Sequence, residues 1–484
     1  MEDKARRALP LSLLSFGANK VITVGTTIVL ARLLDPTEFG LFALAIMMLA
    51  LLSMFNDFGF GRLLIARQDL DAVAKGTMLT AMVATSALLG LALAAVSSPI
   101  AGLFDEPRLQ SLLVIIAVTL ALSGPVWFYD TLLQRELEFK ARLVAQVVQN
   151  IAFAAVAIGL VLLDHGVTGL VVANVASYVA YLACLLWVAP YHVRPAFARG
   201  RIGELLVGSR GFVVQGGVLF AQQNADNLTV AKVLGSGPLG AYFLAYRLAQ
   251  LTTEGIARPV ANVTFSAFSR MRHRGEDWGA AYLSTLRMIA LAACPVAFVV
   301  GAAADPVVRL LYGPKWLVMI GPLAILGLWA ILHALEWTVM SLLNTIGEAD
   351  VAAAAATAAI VLLVPLLVLG AETGGLNGVA WVLTGHSAAM TIVLATLVAR
   401  RGGVALRDQW AAVRTILLAG AVGWGVTRLI TGATAQAPAV LGVLAAGAAG
   451  LAAYYAAISL ALPGLLGHAL RQARETVRRP AMRA

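Results

Sequence analysis

Leu30-Ala31-Arg32-Leu33-Leu34-Asp35-Pro36-Thr37-Glu38-Phe39-Gly40-Leu41-Phe42-Ala43-Leu44-Ala45 reads as the end of one apolar helix, a very short polar turn and the start of a second helix. So short a turn requires the two helices to be antiparallel neighbours. Pro36 stops the first helix, because it has no N–H and disfavours helical backbone at Asp35. Thr37 and Glu38 are suited to the first turn of the second helix. The pattern returns, without a gap, as Ala231-Lys232-Val233-Leu234-Gly235-Ser236-Gly237-Pro238-Leu239-Gly240-Ala241-Tyr242-Phe243-Leu244-Ala245. Ala31 falls on Ala231, Arg32 on Lys232, Leu34 on Leu234 and Gly40 on Gly240. A helical hairpin used twice points to a duplicated protein.

Composition says where that protein resides. The chain has 484 residues, of which 60% are hydrophobic and only 12% charged, with a mean hydropathy of +0.86. A soluble chain carries roughly twice that charged fraction. Continuous apolar runs of about 20 residues, the length that spans a bilayer core, recur throughout. About fourteen spans are expected, from 11–33 and 39–56 through 211–234, 238–257, 350–370 and 376–399 to 411–430 and 437–462. The runs do not alternate as the strands of a membrane barrel do. The fold class is therefore all-α and polytopic. The net charge of +10 does not imply nucleic acid, because the basic residues cluster in alternate short loops, as the positive-inside rule requires. That rule puts both termini in the cytoplasm of a multi-pass cell-membrane protein. The start of the chain leads into the first span without a small-residue cleavage site, so that helix is expected to be retained.

The duplication runs further. Ser98-Pro99-Ile100 and Asp305-Pro306-Val307 each open a short apolar segment ahead of a long span. Two six-helix halves of the same orientation, 1–200 and 201–402, are followed by an extra helix pair and a basic tail, 403–484. Parallel repeats of this kind are a transporter arrangement with the substrate site between them. Two basic connections, 61–74 and 267–282, have the apolar and charged spacing of helices lying on headgroups, so membrane lipids are expected contacts.

Polar residues inside spans need an account, since a Lys or Arg at the membrane centre costs about 2.5–3.5 kcal/mol. The first span carries Asn19 and Lys20. Gln215, Gln222 and Asp226 share one helical face, with Gln223, Asn224 and Asn227 beside it. Arg247, Gln250 and Glu254 form a second stripe, with Arg258 beyond. Gln146, Gln149 and Asn150 add amides in the fifth span, and His333 and Glu336 stand three apart on one helix. Two accounts fit: these residues line a water-filled cavity, or they are ion pairs and hydrogen-bonded packing residues between helices. Trp127, Tyr129 and Asp130 read as interfacial anchors. Cys184 and Cys294 lie in spans as packing thiols. No catalytic triad, metal-ligand spacing or phosphate loop emerges, so no cofactor is expected and an enzyme is not.

Leu30–Phe42, together with Phe55-Asn56-Asp57-Phe58-Gly59-Phe60-Gly61, closely resembles the first hairpin of polysaccharide exporters of the multidrug/oligosaccharidyl-lipid/polysaccharide superfamily. The resemblance implies a Wzx-type flippase for a lipid-linked oligosaccharide. Its implied cavity is cationic, with Lys20 and Arg247 as the basic candidates and Arg258 below. Asn19, Gln215, Gln222 and Asn224 accompany them as substrate-binding residues, and Asp226, Glu254 and Glu336 are candidates for ion coupling. Glycosyltransferases and a glycan polymerase are the partners it implies. A drug exporter of the same superfamily is the first alternative, but it would want an acidic site. A membrane glycan polymerase or ligase is the second, and the short outer loops argue against it.

Overall fold

The computed structural model describes residues 2–56, 60–66, 70–198, 220–257, 260, 268, 271, 278–434 and 436–463. Among these residues every regular element is helical. In lipid each backbone N–H and C=O must be satisfied within its own segment, which helices achieve. Ten helices among the described residues are long and apolar enough to cross a membrane. One of them, Asp350–Gly402, is broken at Gly375, where φ is +56° and ψ −140°, so the expected spans 350–370 and 376–399 fall on either side of a kink. The expected spans 11–33 and 238–257 correspond to helices Glu2–Leu33 and Ser236–Thr252, which are not among the ten. The part of 211–234 before residue 220 lies outside the described residues.

The chain forms two compact units, Met1–Gly240 and Ala241–Ala484. In the first, α1 (Glu2–Leu33) packs on α7 (Phe139–Leu162), and α6 (Pro107–Arg135) packs on α2 (Pro36–Asn56), α4 (Ala72–Ala95) and α8 (Gly166–Val188). α5 (Ser97–Leu103) lies between α4 and α6. Over the stretch 61–74 expected as one helix, α3 is described at Phe60–Ala66, residues 70 and 71 are not helical and α4 begins at Ala72, with 67–69 outside the described residues. Leu64 is buried in the core with Met78, Met82 and Tyr129. Asp71 ends that connection by accepting the Ala74 N–H at 2.7 Å, capping α4. Most of the second expected surface helix, 267–282, lies outside the described residues.

The repeated hairpin keeps the same bonds on either side of its turn, while the turn itself differs, Gly235 having a φ of +92° and Asp35 no positive φ. The Leu34 N–H donates to Leu30 O at 2.9 Å, and the Leu234 N–H to Val230 O at 2.9 Å. The Phe39 and Leu239 N–H groups donate to Asp35 and Gly235 at 3.2 Å each. Arg32 and Lys232 are both exposed. Pro36 is the first residue of α2 and Glu38 lies in its first turn, as expected, and Glu38 also serves a second helix. Its carboxylate accepts the Val167 N–H in the first turn of α8 at 3.3 Å, with Arg108 4.0 Å away. A carboxylate there complements the helix dipole.

The two hairpins meet within the first unit. A Cβ on Gly40 would fall 1.7 Å from Ser236 O, and one on Gly240 would fall 1.9 Å from Pro36 O. The contact is reciprocal, backbone on backbone, and leaves no room for a side chain on either helix. Beside it Lys232 Nζ donates to Leu103 O at 2.8 Å and to Asp105 Oδ2 at 3.0 Å, and the Ser236 hydroxyl donates to Glu106.

In the second unit α11 (Gly279–Ala302) packs on α13 (Ile320–Ile346) and on α15 (Leu406–Ala433), while α14 (Ala349–Gly402) packs on α13 and α16 (Ala439–Ala461) on α15. Its α12 (Ala304–Leu311) repeats the local geometry of α5. Val96 and Ala303, the breaks before these short helices, share φ of −95° and −96°. Positive φ follows at Asp105 and Gly313, and Pro107 and Pro314 then start the next elements. The last two helices are bonded into this unit: Tyr454 Oη donates to Leu291 O at 3.0 Å, and Tyr282 Oη to Gln409 Oε1 at 3.0 Å.

Gly40→Ala and Gly240→Ala should each cost about 1–3 kcal/mol by overpacking. Gly25→Ala, where a Cβ meets nothing within 4 Å, should be neutral or slightly stabilising. Thermal unfolding of the purified protein in detergent would read the difference, and equal effects at the three sites would contradict the close crossing.

Candidate functional site

Lys20 and Asn19 project from α1 into a cavity of about 450 Å³ in the first unit. The opposite wall is one face of α7, formed by Arg142, Gln146, Gln149 and Asn150, which step by four, three and one along the helix. Tyr181 of α8 and Phe139 complete the mouth. Asn150 Nδ2 donates to Asn19 Oδ1 at 2.7 Å and ties the two walls together. Thr23 Oγ1 donates to Asn19 O at 2.9 Å, so this hydroxyl satisfies its own helix.

Arg142 is anchored from behind. Its Nε and Nη2 donate to Oδ1 and Oδ2 of Asp130 on α6, each at 2.8 Å. Tyr181 Oη donates to Asp130 Oδ1 at 2.6 Å. A bidentate fork of this kind fixes the guanidinium plane. Asp130 is buried, with 7% exposure, so its charge is met by Arg142 and Tyr181 rather than by water. Among the described residues the lining carries Lys20, Arg142, amides and a phenol, and no carboxylate. Chemically this is a place for an anion with hydroxyl-bearing groups around it: cations take the charge, and amides donate to and accept from hydroxyls.

Of the residues singled out by sequence, Asn19 and Lys20 are brought together here. Gln222 and Asn224 are half-buried on α9 (220–233), and neither lines this cavity. Asn224 Nδ2 donates to Phe220 O at 3.0 Å. Asp226 is buried on the same helix and accepts from Asn227 Nδ2 at 3.1 Å. Gln215 and Arg258 lie outside the described residues. Arg247, Glu254 and Glu336 belong to the second unit. The stripe expected for Arg247, Gln250 and Glu254 is interrupted. α10 (Ser236–Thr252) gives way to a π-helical turn, Thr253–Ala257, which rotates Glu254 off an ideal α register. The Arg247 guanidinium lies over the Phe243 ring, 4.9 Å from its centre. Glu336 accepts the Ser387 hydroxyl at 2.8 Å and lies 3.3 Å from His333 Nδ1.

Asp130 corrects the sequence reading. It is not an interfacial anchor but the buried partner of Arg142, and Tyr129 beside it is buried as well. Trp127 is 46% exposed. Arg142 itself reads in the sequence as one of several basic loop residues. The signal that could have found it is its place on the face of Gln146, Gln149 and Asn150. Arg142→Gln should destabilise the protein by about 3–5 kcal/mol, because it strands a buried carboxylate. Adding Asp130→Asn should recover part of that loss in a double-mutant cycle read by thermal unfolding. Strictly additive losses would contradict the pairing.

The sequence profile described as "Polysaccharide biosynthesis protein" matches residues 29–321. The chain is similar to the succinoglycan biosynthesis transport protein ExoT of Rhizobium meliloti (strain 1021), with 27% identity over 60% of this chain and 59% of that relative's length. It therefore spans less than two thirds of this relative. It is also similar to the teichuronic acid biosynthesis protein TuaB of Bacillus subtilis (strain 168), at 26% identity over 67% of this chain and 68% of TuaB. Among solved structures, the lipid II flippase MurJ in an inward closed conformation matches with a TM-score of 0.77 at 14% identity. That match covers 94% of this chain and 99% of MurJ, and at this identity it is a likeness of fold. With a profile match over more than half of its length, the chain belongs to the polysaccharide biosynthesis protein family.

Proposed function

We propose that the protein carries an undecaprenyl-diphosphate-linked oligosaccharide from the cytoplasmic to the outer leaflet of the cell membrane by alternating access. The observation that carries this reading is the cavity of α1 and α7. It is cationic through Lys20 and Arg142, amide-lined through Asn19, Gln146, Gln149 and Asn150, and set in a membrane protein of a polysaccharide biosynthesis family. A diphosphate needs fixed cations, and a glycan needs donors and acceptors of the amide kind. Lys20, with Arg142 beside it in the cavity, and Arg247 of the second unit are the substrate-contacting cations of this proposal, with Arg258, Asn19, Gln215, Gln222 and Asn224 as further contacts. Asp226, Glu254 and Glu336 are its candidate coupling groups. Both termini face the cytoplasm in this reading, and the glycosyltransferases and glycan polymerase of the same pathway supply and consume the cargo.

A drug exporter would present a carboxylate to its cationic cargo. In the described cavity the nearby carboxylate, Asp130, is already bound by Arg142. Deleting the gene should make lipid-linked precursor accumulate and surface glycan disappear. Lys20→Ala with Arg247→Ala should lower surface glycan by about tenfold or more, the loss expected for removing a charge-assisted contact worth about 1.5–3 kcal/mol. Wild-type glycan levels in that double variant, at equal protein abundance, would contradict the cationic site.

A further inference from the structure

A second polar cluster lies well inside the spans of the second unit. His333 and Glu336 stand on α13, within the apolar span Pro314–Ile346. His386 and Ser387 stand on α14, beyond its break at Gly375. Glu336 Oε2 is the shared acceptor, receiving the Ser387 hydroxyl at 2.8 Å and lying 3.3 Å from His333 Nδ1. The His333 ring is stacked on Trp329, with centres 4.6 Å apart and planes 14° apart. Trp329 in turn meets Tyr246 at 5.0 Å. The His333 and Glu336 side chains keep 22% and 16% exposure.

Charge balance gives the cluster its chemistry. With both imidazoles neutral, the carboxylate leaves one net negative charge in an apolar span, a costly state. One added proton turns the pair into an imidazolium and a carboxylate and brings the net charge to zero. Two leucines would pack these helices without either cost, so packing alone does not explain the residues. We infer that His333 and Glu336 form a proton-binding site that Ser387 joins to the second segment of α14, taking up one proton at the His333 imidazole. Bound, the proton closes an ion pair on α13. Released, it leaves Glu336 held across to α14 by the Ser387 hydroxyl. Use of this proton to drive transport rests on the flippase reading, whereas proton binding does not.

The other titratable groups on elements packed against α13 have their own surroundings. Asp305 and Arg309 of α12 pair at 3.0 Å. On α11, Tyr282 donates to Gln409, Cys294 lies against Gly420 and Arg287 is exposed. Glu254 of the π-helical turn acts on Arg247, and Lys315 of the 3-10 turn Pro314–Met319 is exposed. On α14, Arg401 pairs with Glu348 at 3.7 Å, and Asp350, Glu372 and Arg400 are exposed.

The stacking supplies the readout, since an imidazolium against an indole quenches its fluorescence. The difference in tryptophan emission between the purified full-length protein and its Trp329→Phe variant should fall as the pH is lowered. His333→Gln should abolish the titration. Glu336→Gln should weaken proton affinity by about tenfold, one unit in the midpoint, because it removes the adjacent anion. A flat difference signal, or a titration that survives His333→Gln, would overturn the site. Should His333→Gln fail to fold, an unchanged midpoint in Glu336→Gln would overturn it instead. A normal titration in a protein whose gene deletion leaves surface glycan intact would refute the transport reading and keep the proton site. Loss of glycan with a flat signal would do the reverse.

Discussion

The reciprocal contact of Gly40 with Ser236 and of Gly240 with Pro36 is the constraint on which the first unit depends. Helices do not gain hydrophobic free energy by leaving lipid for one another, so close packing and hydrogen bonds must hold them. Two backbones at this distance bring many atoms into contact, and Cα–H groups come close to opposing carbonyls. The contact also fixes what lies beside it. Lys232 and Ser236 reach the carbonyl and carboxylates after α5, while Glu38 ties the start of α2 to the start of α8. α1 leads directly into this crossing, which sets the position from which Asn19 meets Asn150.

From that geometry the cavity follows. α1 supplies Lys20, α7 supplies an amide face and Arg142, and α6 supplies the buried Asp130 that holds Arg142 in place. The arrangement separates two kinds of cation. Arg142 is oriented by a carboxylate and a phenol, which fixes its geometry and partly neutralises its charge. Lys20, on a flexible stem, remains adaptable. In the second unit the polar chemistry has another character: a carboxylate shared between His333 and Ser387, with the His333 ring stacked on Trp329. The two units carry local geometries repeated from one to the other, such as the breaks at Val96 and Ala303. Yet they hold different side chains at their polar centres.

Much of this is legible in the sequence, for physical reasons. Apolar runs of bilayer length leave little choice but helices. The recurrence of Leu34 and Gly40 as Leu234 and Gly240 anticipates a hairpin that matches bond for bond. Lys20 and Asn19 announce a site because polar groups so far from a helix end need a reason to be there. Arg142 and Asp130 are harder to read. Each lies near a span end, where charge is cheap, and only the tertiary approach of α6 to α7 turns them into a buried pair. The π-helical turn at Thr253–Ala257 is invisible to a reading that assumes α spacing, so Glu254 is displaced from the stripe that Arg247 begins. The Gly61–Ala74 connection misleads for a related reason: its amphipathic spacing fits a surface helix, but Leu64 has core partners available.

The most direct test of the transport reading is a leaflet assay with the purified protein in vesicles. The probe is an undecaprenyl-diphosphate-linked monosaccharide that carries a fluorophore and is loaded on one side. The account predicts that wild-type protein brings the label to the opposite leaflet, where a membrane-impermeant quencher reaches it, and that Lys20→Ala slows this exchange strongly. Exchange no faster than in protein-free vesicles, or equally fast in wild type and Lys20→Ala, would contradict it.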